Sequence, residues 1–212
     1  ILFNTEAKFI ADRTLKVGKE TIKGSKVIIA AGTRPSVPNI EGLKDVDFIT
    51  SDEALRLRKL PKSMTILGGG YIAAELAHFY GSLGTKISII QRRDVLIPNE
   101  DEEVAKKFTE IFRKKYNVLT GYDATKAEKK GKKFILTAKS RKSTRKLISD
   151  QLLVAAGRVP NTDLLDVAKT KAAVDKNGFI KTNDYLQTTA KNTWALGDIA
   201  GKFLFKHSAN LE

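Results

Sequence analysis

Ile66-Leu67-Gly68-Gly69-Gly70-Tyr71-Ile72-Ala73-Ala74-Glu75 sets a glycine cluster between an apolar run and an amphipathic one. Gly68 permits a tight strand-to-helix turn, Gly70 lets backbone N–H groups approach a pyrophosphate, and Ala73 is small enough for helix and strand to pack closely. Glycines also serve plain tight turns, so the flanks carry the argument. Ser63-Met64-Thr65-Ile66-Leu67 is short, apolar and β-prone, while Ile72, Leu76, Phe79, Tyr80 and Leu83 recur at helical spacing. Gly84 closes that helix, and Thr85-Lys86-Ile87-Ser88-Ile89-Ile90 predicts a second strand, completing a β-α-β unit.

Gln91, Arg92 and Arg93 stand at the end of the second strand. In a site for NAD, an acidic residue roughly twenty positions past the first glycine accepts hydrogen bonds from the adenosine ribose; arginines there accommodate a 2′-phosphate instead. The sequence therefore leans towards NADPH. Each charge-assisted bond from Arg92 or Arg93 to such a phosphate is worth on the order of 1.5 to 3 kcal/mol. The plainer alternative is a strand that simply ends in two exposed arginines.

A chain of 212 residues with 42% hydrophobic and 29% charged residues can bury one large core or two small ones. No run approaches the roughly 18 apolar residues of a membrane span, and the first residues lack the order of a signal peptide, so a cytoplasmic protein with no membrane partner is expected. The absence of cysteine excludes disulfides, thiolate chemistry and Cys-based zinc sites, and two histidines offer little for a metal. Ile1 falls inside an apparent strand and the only methionine is Met64, which suggests a piece of a longer protein. Lys and Arg number 38 against 24 Asp and Glu, giving +14. Ten of these basic residues lie between Lys126 and Lys146, with Glu128 the single acid, around the β-prone run Phe134-Ile135-Leu136-Thr137-Ala138. Only Phe134 interleaves with the charges and no nucleic-acid motif accompanies them, so the reading is solvated hairpin edges guarded by lysine, with no nucleic-acid partner.

The order of elements is α/β with inserted β-meanders. Turns at Val17-Gly18-Lys19 and Lys23-Gly24-Ser25 predict a hairpin leading into a strand over Lys26-Val27-Ile28-Ile29-Ala30-Ala31, followed by a loop marked by Pro35 and Pro38. Thr50-x-x-Glu53 has capping-box spacing for a short helix ending before Pro61. Asn99-x-x-Glu102 suggests the start of a longer helix, with Val104, Phe108, Ile111 and Phe112 on its inner face. Leu152-Leu153-Val154-Ala155-Ala156 reads as another buried strand, and its Ala155-Ala156-Gly157 end echoes Ala30-Ala31-Gly32, marking two crossings between domains.

Four motifs now stand in order: Ile28-Ile29-Ala30-Ala31-Gly32-Thr33-Arg34-Pro35, the glycine cluster, Ala156-Gly157-Arg158-Val159-Pro160-Asn161-Thr162, and Trp194-Ala195-Leu196-Gly197-Asp198-Ile199-Ala200-Gly201. In this order they resemble the pyridine nucleotide–disulfide oxidoreductases, flavoproteins of the dihydrolipoamide dehydrogenase and glutathione reductase type, nearly end to end. The resemblance implies a Rossmann-like three-layer β/β/α NAD(P)-binding domain over 52–156, with a β-meander, between two parts of an FAD-binding domain at 1–51 and 157–212. It implies that Gly32 lines the flavin nucleotide and that Asp198 hydrogen-bonds its ribityl or phosphate portion. Tyr71 resembles the aromatic residue that covers the flavin where nicotinamide docks, Glu75 the carboxylate facing that place, and Gly157 a backbone neighbour of NAD(P). His207, in Phe205-Lys206-His207-Ser208-Ala209-Asn210, matches a helix start beside the flavin ring, in a positional rather than catalytic role. FAD and NAD(P) are the implied cofactors, a small dithiol or disulfide the implied substrate, and a homodimer the implied assembly. The family's FAD glycine motif, redox-active Cys-x4-Cys pair and interface domain are absent from these residues, so no catalytic residue is expected in this chain. Dihydrolipoamide is the working substrate, with glutathione, mycothione and mercuric ion as alternatives, and Gln91-Arg92-Arg93 argues against lipoamide because an acid usually ends that strand there. A non-enzymatic dinucleotide-binding or redox-sensing module is the reading from another class.

Overall fold

Short β-prone runs punctuated by glycine and Asx turns become strands along most of the chain. A computed structural model describes residues 1–212. It opens with β1 (Ala7–Ala11), β2 (Thr14–Val17), β3 (Glu20–Lys23), β4 (Val27–Ile29) and β5 (Thr33–Pro35). There follow α1 (Ser51–Ala54), β6 (Ser63–Leu67), α2 (Tyr71–Ser82), β7 (Lys86–Gln91), α3 (Glu102–Lys115) and β8 (Asn117–Thr120). The chain continues with β9 (Asp123–Lys130), β10 (Lys133–Lys139), β11 (Thr144–Ser149), β12 (Gln151–Val154), β13 (Arg158–Pro160), β14 (Thr193–Ala195) and α4 (Lys206–Leu211). Pro35–Gly157 forms one unit, and Ile1–Arg34 with Arg158–Glu212 forms another.

In the central unit β12, β6, β7 and β8 lie side by side in that order, all parallel. Both faces of this sheet are covered, and β6 and β12 are accordingly apolar along most of their length, as parallel strands are when neither face meets water. Side chains alternate across it. Met64, Ile66, Ile87, Ile89 and Leu153 pack on Ala73, Leu76, Ala77 and Tyr80 of α2 and Phe112 of α3. Leu67, Ile90, Leu152 and Val154 pack on Ala127, Phe134, Leu136 and Ala138 of the antiparallel meander β11-β10-β9. The layers are thus helix, parallel sheet and antiparallel sheet, the β/β/α arrangement expected.

Residues 35–51, expected with the flavin portion, fold instead with the central unit. Leu43 is fully buried among the meander residues, and Ile49 exchanges backbone bonds with β12, its N–H reaching Leu152 O at 2.9 Å and its carbonyl accepting from Val154 N–H at 2.8 Å. The capping box at Thr50 and Glu53 is formed on both sides. At the other end of the unit the Ser36 N–H donates to Gly157 O at 2.9 Å. Lys126, Lys129 and Lys133 are tied to Glu41, Asp47 and Asp150, leaving most of the basic residues of the meander in solvent.

Several expectations are corrected. Phe79 and Leu83 are 54% and 55% exposed, because α2 packs through the stripe Ala73, Leu76, Ala77 and Tyr80, whose small residues allow a close approach. On α3 the buried stripe is Ala105, Thr109 and Phe112, with Phe108 partly buried; Val104 and Ile111 lie one position off it and face outward. That helix is capped by Asp101, which accepts from the N–H groups of Glu103 and Val104, and not by Asn99. In the flanking unit β1, β2 and β3 make a three-stranded meander instead of a single hairpin, with its first turn at Arg13 in the left-handed region. The strand expected over 26–31 is confined to β4, which pairs in parallel with β14. Phe9, Ile29, Val167, Ile180, Ala195 and Ile199 form this unit's core.

Gly68 has φ +116, and a Cβ there would sit 2.2 Å from Ala155 O. Gly68→Ala is expected to destabilise the chain by about 3 kcal/mol or more, since backbone strain and a backbone clash add. Denaturant unfolding monitored at the single tryptophan, Trp194, and by far-ultraviolet circular dichroism checks this.

Candidate functional site

The parallel strands run in one register, so β6, β7 and β12 end at the same edge of the sheet. That edge gathers Gly68 and Gly70, Gln91, Arg92 and Arg93, and Gly157. Gly68 N–H donates to Ile90 O at 2.8 Å and Ala155 N–H to Leu67 O at 2.8 Å, pinning the turn to both neighbours. Gly69 lies against the start of the following loop: a Cβ there would meet Leu96 Cδ2 at 2.7 Å and Gln91 Nε2 at 2.9 Å. Gly70 is the N-cap of α2, extended and without a side-chain cap, and a Cβ on it would meet nothing within 4 Å. Ala73 is buried in the first turn of α2. Gly157, with φ +114, also faces open space. Tight on one side and open on the other, the turn presents first-turn N–H groups and a helix dipole to an anion.

Arg92 and Arg93 are exposed, and neither guanidinium makes a hydrogen bond or ion pair. Their backbone is fixed nonetheless: Gln91 O accepts from Tyr122 N–H at 3.2 Å and Arg93 O from Gly121 N–H at 3.1 Å. Tyr71, half-buried at the first position of α2, donates its phenol to Glu100 Oε1 at 2.6 Å, and that carboxylate, followed by desolvation, raises the phenol's pKa. Glu75 is exposed one turn further along α2.

In the flanking unit Gly32 has φ +63 and open space where a Cβ would be. Beside it the Thr33 hydroxyl donates to Asp198 Oδ2 at 2.8 Å. Arg158 completes the group, donating from Nε to Thr33 Oγ1 at 2.6 Å and from Nη2 to Thr33 O at 2.7 Å, with Nε 3.9 Å from Asp198 Oδ2. Gly32 and Asp198 are therefore joined through Thr33. His207 is exposed on α4, which packs on the 3₁₀ turn Gly197–Ala200. The residues that sequence reasoning passed over are Thr33 and Arg158, together with Arg34 and Asp163, a bidentate pair at 2.8 and 2.7 Å. Thr33, Arg34 and Arg158 lay inside the quoted motifs, whose residues form β5 and β13, which pair, while Asp163 stands one residue beyond the third motif.

Residues 2–211 match the family model for pyridine nucleotide-disulphide oxidoreductases. The chain belongs to this family. It is 36% identical over 199 residues to a mercuric reductase of Staphylococcus aureus, covering 93% of this chain and 36% of that protein. It is 34% identical over 193 residues to the mycothione reductase of Mycobacterium tuberculosis, covering 91% and 41%. With the dihydrolipoyl dehydrogenase of Vibrio cholerae it shares 34% over 210 residues, covering 96% and 44%. The chain thus spans less than half the length of these relatives. Among solved structures it resembles the HOCl-induced flavoprotein disulfide reductase RclA from Escherichia coli, with a TM-score of 0.86 and 30% identity over 97% of this chain and 47% of that one.

Proteins of the pyridine nucleotide-disulphide oxidoreductase family use FAD and NAD(P)H. The residues present suit such groups: open glycines at 70 and 157, uncapped first-turn N–H groups on α2, and two unpaired guanidinium groups match an anionic dinucleotide. In the flanking unit an open glycine at 32 lies beside an oriented carboxylate at 198.

The Arg34 guanidinium holds the Asp163 carboxyl below the usual carboxylate range. A depressed carboxylate contributes stability that is present above its unfolded pKa, about 4, and is lost as pH falls through the folded value. Asp163→Asn is therefore expected to flatten the loss of thermal stability on acidification below about pH 4 while leaving the shape of the profile near pH 7 unchanged; melting curves from pH 7 to pH 2 check it.

Proposed function

We propose that this chain is the nucleotide-binding core of an FAD-dependent NAD(P)H oxidoreductase, with the central unit holding NADPH and the flanking unit holding part of FAD. In this reading Gly68 and Gly70 bring the backbone to the pyrophosphate, Ala73 keeps α2 close to the sheet, and the α2 N-terminus balances phosphate charge. Gly157 lines the dinucleotide from the neighbouring strand end. Tyr71 and Glu75 border the nicotinamide end, and Glu100 orients the Tyr71 ring. Gly32 leaves room for the flavin nucleotide, Asp198 accepts from its hydroxyl groups with Thr33 and Arg158 setting the carboxylate's orientation, and His207 lies at the helix start near the ring. Hydride exchange between nicotinamide and flavin, with onward reduction of an acceptor, is the chemistry the two cofactors supply when bound.

The observation that carries the NADPH reading is the pair of unpartnered arginines beyond Gln91, at the strand end where an acid would serve NAD. For the whole protein the working proposal is a dithiol/disulfide substrate of the dihydrolipoamide kind, the dithiol giving electrons to the flavin or the disulfide taking them from it, with glutathione, mycothione and mercuric reductases as alternatives. Support comes from relatives of three such kinds at 34–36% identity. The missing acid at Gln91 favours the NADPH-linked members of that set.

Calorimetric titration at moderate salt is expected to show NADPH bound at least tenfold more tightly than NADH, the lower end of what one charge-assisted phosphate contact supplies. Arg92→Glu is expected to abolish or reverse that ratio without altering the melting temperature. Equal affinities for the two nucleotides in the wild-type chain would sink the NADPH assignment.

A further inference from the structure

The loop 92–101 does more than join β7 to α3. Its midpoint, Ile97, is a β-branched residue at φ +44, a backbone region such residues rarely occupy, and its side chain is only 8% exposed. What this conformation secures is a 2.6 Å hydrogen bond from the Ile97 N–H to the carbonyl of Gly69. A trans peptide holds its C=O and the following N–H on opposite sides, and this chain has no cis bond. Fixing the Gly69 carbonyl towards the loop therefore points the Gly70 N–H away from it, at the residue whose Cβ position is open and whose N–H donates to no other backbone carbonyl.

The clasp has its own support. Leu96 N–H donates to Thr109 Oγ1 at 2.8 Å, and Thr109 donates onward to Ala105 O at 2.7 Å. Thr109 is a polar residue 2% exposed, on the buried stripe of α3. Its hydroxyl is thus satisfied on both sides, and one side is the loop. Leu96, 1% exposed, fills the space against Gly69.

We propose that Ile97 is a positioning residue for phosphate recognition, turning the Gly69–Gly70 peptide so that the Gly70 N–H meets the pyrophosphate, and that Thr109 holds Ile97 in place from α3. This rests on the nucleotide reading above and adds residues remote from the ligand to it. The arginines have separate backbone anchors at Gly121 and Tyr122, so loosening the clasp leaves the 2′-phosphate contact in place.

The test uses the 212-residue chain with Thr109→Val, which keeps the shape and removes the acceptor, Thr109→Ser, which restores it, and a backbone ester at position 97, which deletes only the N–H. Probes are NADPH, NADH and adenosine 2′-monophosphate, which has the 2′-phosphate but no pyrophosphate. Thr109→Val and the ester are expected to weaken NADPH and NADH by the same factor, about tenfold, and to leave adenosine 2′-monophosphate unchanged. Thr109→Ser is expected to bind like wild type, and the Ile97 amide to lose its protection from hydrogen exchange in Thr109→Val. Full dinucleotide affinity in the ester variant overturns the proposal, as does parallel loss of all three ligands. Failure of the wild-type chain, shown to be folded, to bind either dinucleotide overturns the nucleotide reading itself, and the wild-type titration separates that result from the others.

Discussion

The approach of Gly68 to the Ala155 carbonyl is the constraint on which the rest of the central unit depends. It lets β6 and β12 remain paired to their last residues and still allows the chain to turn at once into α2. A side chain at 68 would force the strands apart or delay the turn. Either change would move the first turn of α2 away from the edge where β7 and β12 end. The open space at Gly70 and the packed space at Gly68 and Gly69 are two sides of one solution: dense behind the turn, vacant in front of it.

Both candidate regions share a second device, in which polar side chains are oriented by hydrogen-bonded neighbours. Asp198 is aimed by Thr33, which is in turn held by Arg158. Tyr71 is held by Glu100. Carboxylates and phenols have several rotamers in solvent, and a hydrogen-bonded neighbour removes most of them before a ligand arrives.

The glycine turn, the strand runs and the β-prone segment inside the lysine-rich stretch are legible in the sequence because each follows a short-range rule, whereas the layer order rests on the family resemblance. The strand-end residues Gln91, Arg92 and Arg93 were placed by counting from Gly68. What was not legible turned on differences of one residue or on long-range pairing. Apolarity alone puts Val104, Phe108, Ile111 and Phe112 on the inner face of α3, whereas the buried residues are Ala105, Thr109 and Phe112, Thr109 being taken in by its hydrogen bond from the Leu96 N–H. Asn99 and Asp101 are both good caps, and only the loop path selects Asp101. Thr33 and Arg158 lie far apart in the chain, and only the pairing of β5 with β13 brings them together.

The hydrogen bond from Ser36 N–H to Gly157 O bears on how the chain folds. The flanking unit is discontinuous, and joining its halves across an unstructured insert as long as Pro35–Gly157 would cost roughly 4 kcal/mol in loop-closure entropy. Once the central unit has folded, that insert enters and leaves at adjacent points, and most of this entropy has already been spent within its own core. The central unit is built from one continuous stretch, whereas the flanking core, in which Phe9 and Ile29 pack with Val167 and Ala195, needs residues from both sides of that stretch.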